Sequence, residues 1–528
     1  MNLASPNNIG AHRKCPRTLR SWVLTTTALV AITSVSLQAE TNAARSHRIQ
    51  RLVEQGQIDV AEKQVWDVVS SDPENAAAID LLGVIRVKQK RFPEAEALLK
   101  RAIAAAPDSV DSYRDLGELY ATQGHNDEAE ASFVKAHELA PNDVTISFAL
   151  AKMLEQTGEF GRSIEAIDSI PVGLRPAGAL PIMASDYFAL KQPDNVAALI
   201  PEVRRRGAVD SALIPQFARV LADNGYEDDA DALLKVASAT QGSTSELLLV
   251  LARVQERQGN VALAERTLAQ VTKQYPSSFE AWLQSARLAS GAKAYKKEAS
   301  LLDRALQVRP DDVEALRHLV VARTRSGEAM GAITAARHLY SIKPNDPDVI
   351  YLLATALVNR AQWHEARPIA EKLVSARDDA RARVMLGMVL VNDGDIDGAS
   401  LQIDHALQED PNETEAHYYK GVIARQHGDV QVAIREMEAV VAADPQHVSA
   451  QAELGTLSLQ IGNLDAARKA LEQAVSVNPN VPENHYQLAI AYSRSGLTDK
   501  AQIQMEEFRK LRSAADKSMP VGTTAGNH

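Results

Sequence analysis

Small and apolar residues return along the chain with a period of 34, from near Thr41 to near Ser513. With the recurring glycine of each unit set as position 15, fourteen units fit between Asn42 and Ala515, twelve of 34 residues and two of 33. Position 8 is Gly, Ala or Ser in twelve of them, including Gly83, Gly117, Ala252, Gly387, Gly421 and Gly455. Position 20 is alanine in twelve, including Ala61, Ala95, Ala129, Ala264, Ala433 and Ala467. Larger apolar residues follow at helical spacing: Leu82 and Leu116 just before position 8, and Leu99, Phe133, Leu234, Leu268, Leu302 and Leu471 four residues after position 20. Two fixed small positions beside bulky ones predict two helices that cross closely, because a larger side chain there would push the axes apart.

The punctuation keeps the same beat. Gly124, Gly158, Gly225, Gly259, Gly394, Gly428, Gly462 and Gly496 supply the left-handed residue that closes a first helix. An Asp or Asn beside the glycine, as in Gly428-Asp429 and Gly462-Asn463, is placed to cap the second helix. Pro73, Pro107 and Pro141, then Pro276, Pro310 and Pro344, then Pro411, Pro445 and Pro479 cannot continue that helix and end the unit. A period of this length, so punctuated, predicts a stacked helical array. Each repeat then packs only on its neighbours, so 528 residues need no single large core. One stretch departs from the pattern: Pro171, Gly173, Pro176, Gly178, Pro181, Pro193 and Pro201 crowd residues 170–207, and Pro201 falls inside an expected helix. A distorted joint is expected there. Pro368 falls within the first turns of its own helix, where a missing N–H matters less.

Taken together, the order of Leu, Gly or Ala, Ala, aromatic or aliphatic, Ala and Pro resembles the tetratricopeptide repeat (TPR) family, over about nine-tenths of the chain. The resemblance implies an all-α fold, a right-handed α-solenoid (superhelix) of about fourteen helix-turn-helix units. It also implies that positions 2, 5, 9, 12 and 13 of each unit look into the concave face, where partner proteins bind. The expected organisation is a leader in 1–39, TPR units 1–4 in 42–177, a degenerate unit 5 in 178–210, units 6–14 in 211–515, and a disordered tail in 516–528.

The leader reads as a secretory signal: His12, Arg13, Lys14, Arg17 and Arg20 precede an apolar stretch from Ser21 to Leu37, and Ala39 offers a small residue for cleavage. The alternative is an uncleaved inner-membrane anchor through residues 21–37, which are few for a span of about 20 residues. Cys15, the sole cysteine, precedes the apolar stretch, so cleavage at Ala39 would leave a chain without thiol or disulfide chemistry. Cleavage would also take four of the 57 Lys and Arg and none of the 68 Asp and Glu, moving the net charge from −11 to −15. An acidic chain without a long basic run argues against nucleic acid as a partner.

On the face assigned to partners, position 9 of three successive units is arginine: Arg219, Arg253 and Arg287. Arg257, Arg317 and Arg325 fall nearby on the same face. A ladder of guanidinium groups suits carboxylate or phosphate recognition and so an anionic polymer. Equally, Glu246, Glu256, Glu280 and Glu314 share that face and could neutralise it as inter-repeat ion pairs. Further along, Tyr351, Val358, Val384, Met388, Tyr418, Val422, Tyr486 and Ile490 suit a partner peptide or helix, or else turn into the core. The Lys and Asn clamp by which chaperone-linked members of the family grip a carboxyl terminus is not matched.

No catalytic constellation stands out. His364-Glu365 opens like a zinc-protease helix, but Pro368 occupies the place of the second histidine. There is no phosphate-binding loop, dinucleotide fingerprint or Gly-x-Ser-x-Gly elbow. Acidic pairs such as Asp228-Asp229, Asp311-Asp312 and Asp378-Asp379 fall where helix starts explain them. The expectation is a non-enzymatic periplasmic scaffold that binds other envelope proteins without a cofactor or metal. Its resemblance to exported TPR scaffolds points to exopolysaccharide synthesis or secretion, with pilus or outer-membrane protein assembly as the alternative process.

Overall fold

The computed structural model describes residues 44–518. Within them the chain forms twenty-eight α-helices, one short 3-10 turn and no strand, so the all-α solenoid expected from the repeat is the fold. The expected signal or anchor in 1–39 lies outside the described residues.

The chain divides into two compact units, one ending at Asn260 and the other starting at Val261. The first holds α1 (44–54), α2 (Ile58–Ser71), α3 (Ala76–Lys88), α4 (Phe92–Ala105), α5 (Val110–Gln123), α6 (Asn126–Leu139) and α7 (Val144–Thr157). It continues with α8 (Phe160–Asp168), α9 (Ala179–Ala189), α10 (Pro193–Gly207), α11 (Leu213–Asp223), α12 (Glu227–Gln241) and α13 (Ser245–Arg257). The second holds α14 (Val261–Gln274), α15 (Phe279–Gly291), α16 (Tyr295–Val308), α17 (Val313–Arg325), α18 (Ala329–Ile342), α19 (Pro347–Val358), α20 (Trp363–Ala376) and α21 (Ala380–Asp393). It closes with α22 (Ile396–Glu409), α23 (Thr414–His427), α24 (Val430–Ala443), α25 (Val448–Gln460), α26 (Leu464–Val477), α27 (Pro482–Arg494) and α28 (Thr498–Ser518). The last helix thus runs past 516, where the tail was expected to begin.

Helices pack in sequence order, and a first helix also touches the first helix of the next repeat, as α3 does α5, α11 does α13, and α21 does α23. That second contact gathers the first helices side by side on one face of each unit.

The turn between the two helices of a repeat depends on one left-handed residue. The position-15 glycines have φ between 73° and 91°. Where glycine is missing at position 15, Lys90, Lys293 and Ala361 take up the same conformation at φ of 55–60°, as does Lys191 one residue before that position in unit 5, against the steric preference of an L side chain. Side-chain caps are systematic at the other junction. Asn75, Ser109, Asp143, Thr244, Ser278, Asp312 and Asp379 each accept a hydrogen bond from the opening N–H groups of a first helix. Of the two caps expected on second helices, Asn463 accepts from the Ala466 N–H at 3.2 Å, whereas Asp429 makes no side-chain cap bond. Asp395, which also follows a left-handed glycine, accepts from the Gly398 N–H at 3.0 Å, so the tight turn permits such a cap without requiring it.

The core repeats one motif. The side chain four residues after the buried alanine lies across the small position of the first helix. A methyl carbon added at Gly83 would meet Leu99 Cγ at 2.8 Å, at Gly387 it would meet Ile403 Cδ1 at 2.6 Å, and at Gly455 it would meet Leu471 Cγ at 2.4 Å. The partnering Ala95, Ala399 and Ala467 are fully buried.

The irregular stretch is real but clasped. α8 stops at Asp168, and a 3-10 turn at Val172–Leu174 leads toward α9. Arg175 pins this loop, donating from Nε to the Ile170 carbonyl at 3.1 Å and from a terminal nitrogen to Asp168 Oδ1 at 2.8 Å. Arg206 of α10 donates in turn to the Arg175 carbonyl. Pro201 sits inside α10, which runs on through it, and Pro368 likewise lies inside α20.

Two substitutions test this account. Gly455→Ala should destabilise α25 and α26 by about 1–3 kcal/mol from overpacking, offset in part by about 1 kcal/mol of helix propensity. Gly421→Ala should be milder, because its nearest neighbour is the terminal methyl of the unbranched Met437 side chain, which can shift by rotation. Hydrogen exchange of the two hairpins compares them locally, as a repeat array requires. Ala361→Gly should raise stability by about 1 kcal/mol by relieving a left-handed alanine, read as slower exchange in α19 and α20.

Candidate partner-binding surface

In the first unit, the face of the gathered first helices opens into a cavity of about 550 Å³ between α1, α3 and α5. Asp80 of α3 lies at its floor, only 6% exposed, and its Oδ1 has no hydrogen-bond partner among the described residues. Asp115 of α5 stands beside it. Arg114 donates to Asp115 Oδ1 at 2.9 Å and to Asp111 Oδ1 at 2.7 Å, so its charge is directed to those two carboxylates. Burial, reinforced by the Asp115 carboxylate, pushes Asp80 up to about 8. Burial raises Asp115 as well, and raises the neighbouring Glu118. Two carboxyl groups so placed resist ionising together.

None of these acidic residues figures in the ladder or the aromatic set. The signal was present: Asp80 is the one charged residue between Glu74 and Arg86, at position 5 of its unit, inside an otherwise apolar run. Sequence alone does not say that Asp115 comes to its side.

The arginines separate into different situations. In the first unit, Arg219 of α11 and Arg253 of α13 are exposed on neighbouring first helices, and neither makes an ion pair among the described residues. Arg257 is clasped by Asp223 at 2.9 Å and Glu227 at 3.2 Å from the preceding repeat. In the second unit, Arg287 is exposed and has an interaction of its own. Arg317 reaches Asp346 of the next repeat at 3.2 Å, and the Arg325 guanidinium lies 5.3 Å from the centre of the Tyr295 ring. Arg257 and Arg317 therefore tie repeats together, through Asp223, Glu227 and Asp346. Of the glutamates weighed as neutralising partners, Glu280 pairs with Arg309 at 3.3 Å, and Glu314 stands 3.8 Å from Arg317.

The apolar set also divides. Tyr351 is 36% exposed and Tyr486 is 40% exposed, the latter with its ring 5.2 Å from that of Phe508. Tyr418 is half-buried, edge-on to Tyr419 at 5.1 Å and tilted against His447 at 5.0 Å, and burial raises its phenol above the ordinary range. Met388 packs against the core, and Val384 and Val422 are buried in it. Among the described residues no group of three or more His, Cys, Asp or Glu is placed to hold a metal. None of their helices is long and apolar enough to cross a membrane.

Models of the tetratricopeptide repeat match residues 74–142, 114–179, 245–288, 351–414, 384–448 and 424–483. With its repeated helix pairs, left-handed turns and interlocked small positions, the chain belongs to the tetratricopeptide repeat family. Such arrays are protein–protein interaction scaffolds, and this is the class of protein that the fold defines. Among solved structures, the APC/C hetero-tetramer Cut9-Hcn1 is similar, with 13% identity, 89% of this chain and 94% of that chain covered, and a TM-score of 0.44. MamA 41-end from Desulfovibrio magneticus RS-1 aligns at 24% identity over 33% of this chain and 96% of that one, with a TM-score of 0.27. Naa15/Naa10 bound to HypK-THB aligns at 13% identity over 91% and 97%, with a TM-score of 0.30. No curated protein matches the chain.

The buried carboxyl pair makes stability depend on pH. A folded-state value near 8 for Asp80 lies above the roughly 3.9 of an unfolded aspartate, so the folded state holds a proton that the unfolded chain has lost. This contribution is complete below about pH 4 and disappears as pH rises through about 8, with a slope of at most about 1.4 kcal/mol per pH unit for each proton. Hydrogen exchange in α3 and α5 should accordingly show stability falling from pH 5 to 8.5, and Asp80→Asn should flatten that fall. An unchanged slope in the variant would remove Asp80 as its source.

Proposed function

We propose that this chain is an exported, periplasmic scaffold that holds other envelope proteins on its first-helix face, in the synthesis and secretion of exopolysaccharide. The observation that carries the scaffold role is the exposure of recognition side chains on that face: Arg219 and Arg253 in the first unit, Tyr351 and Tyr486 in the second. A buried or fully paired set would have nothing to offer a partner. What supports export is the basic, apolar and small-residue order of residues 1–39. What supports polysaccharide is the resemblance to exported TPR scaffolds of such systems, an argument by analogy. Catalysis would then reside in the bound partners, with this chain setting their spacing.

The unpaired exposure of Arg219 and Arg253 favours a second reading, in which the first unit also binds an anionic polymer directly.

Photo-crosslinking groups placed at Tyr351 and Tyr486 in the native host should capture a synthase or export component. The same group at Leu401, exposed on the second helix α22, should not. Equal capture from Leu401, or an enzyme of another process at the tyrosines, would overturn the assignment, and recovery of the chain from the cytoplasm would overturn export. For the polymer reading, joint replacement of Arg219, Arg253 and Arg287 by Glu should abolish retention on an acidic polysaccharide column. Retention in the wild type should fall steeply with salt. Undiminished retention of the triple variant would make the arginines structural.

A further inference from the structure

We propose that the cavity between α1, α3 and α5 is a specificity pocket for a lysine side chain of a partner protein, its ammonium group seated on Asp80 and Asp115. The proposal rests on the scaffold reading and adds the chemistry of one recognised residue. Asp80 is more than nine-tenths buried yet keeps an unpartnered oxygen, an arrangement that folding alone makes unfavourable. Around it the cavity carries Asp111, Asp115 and Glu54 against only Lys88 and Arg114, and Arg114 is already paired to two of those carboxylates.

The shape selects among cations. Among the described residues the site lacks the three-ligand grouping that a metal ion needs. Val53, Leu81 and Val84 give the cavity an apolar wall. Lysine fits both features: a compact charge with three donors for the carboxylates, on a four-carbon stem that lies against apolar surface. At 550 Å³ the cavity has room for neighbouring residues of the partner as well as the side chain.

Binding should release a proton. The arriving ammonium replaces the proton that keeps Asp80 neutral, leaving a carboxylate–ammonium pair and one proton in solvent. Affinity should therefore rise with pH through the range in which Asp80 ionises. The other titratable or charged groups facing the cavity are His47 and Glu54 from α1, Lys88 from α3, and Asp111, Arg114 and Asp115 from α5.

The test uses the full chain, immobilised, and two synthetic nonapeptide libraries with random flanks, one with a fixed central lysine and the other with ε-acetyl-lysine there. The lysine library should be retained roughly tenfold better, the worth of one charge-assisted hydrogen bond, and the preference should grow from pH 6 to pH 8.5. Asp80→Asn should reduce the preference to parity. Ala77→Trp, which fills the cavity from its exposed rim and leaves both carboxyl groups in the chain, should do the same and guards against a folding defect in the first variant. Equal retention of the two libraries by the wild type, or a preference that survives Ala77→Trp, would overturn the proposal. Either result with the Tyr351 and Tyr486 crosslinks intact would strike the lysine pocket alone, whereas loss of those crosslinks would strike the scaffold reading.

Discussion

Everything in this molecule depends on the close approach of two helices where a missing side chain meets a large one. Leu99 over Gly83, Phe133 over Gly117, Ile403 over Gly387 and Leu471 over Gly455 are the same contact made four times, so close that an added methyl group would stand 2.4 to 3.0 Å from its neighbour. Dispersion between packed atoms falls off within an ångström, so this geometry either closes fully or loses much of its value. Once it closes, the turn must reverse within a few residues, which demands a left-handed residue at position 15. That Lys90, Lys293 and Ala361 accept this conformation shows the packing outweighing the local preference of the backbone.

Because stability is built repeat by repeat, many positions on the first-helix face of each unit carry no part of the hairpin core. That freedom explains how the first unit can carry exposed arginines and a buried carboxyl pair, and the second exposed tyrosines, without disturbing the hairpins beneath. It also explains the arginines that are not available. Arg257 and Arg317 join carboxylates of adjacent repeats, half-exposed pairs that contribute little energy each but define how one repeat registers on the next. The Asp80 and Asp115 pair is the opposite case. Burial without full hydrogen bonding destabilises the fold, and strongly perturbed carboxyl groups cluster at functional sites.

The joint around Arg175 illustrates a different compromise. Three prolines and two glycines between Ile170 and Pro181 remove the ordinary second-helix ending, and the chain restores order through one arginine that gathers Ile170 and Asp168 while Arg206 holds its carbonyl. Interruption of the pattern marked the place. The longest link of the clasp that repairs it, from Arg206 to the Arg175 carbonyl, joins residues 31 apart, a pairing that the repeat pattern does not reveal.

What the chain's own order of residues determined is the repeat: its length, its helices, its turns and the small positions that lock them, all of which depend on neighbours within one unit. Local periodicity is a sufficient cause for these, so they are legible from Gly83 or Leu99 without coordinates. Tertiary structure alone decided which of the candidate residues remain available. Arg219 and Arg257 read alike in sequence, and both are exposed, yet one makes no ion pair among the described residues and the other is held by Asp223 and Glu227; Tyr351 and Val384 read alike, yet one faces solvent and the other the core. Above all, the meeting of Asp80 with Asp115 is set by how α3 stacks on α5, and the charge a buried carboxyl carries depends on that packing and not on its place in the repeat.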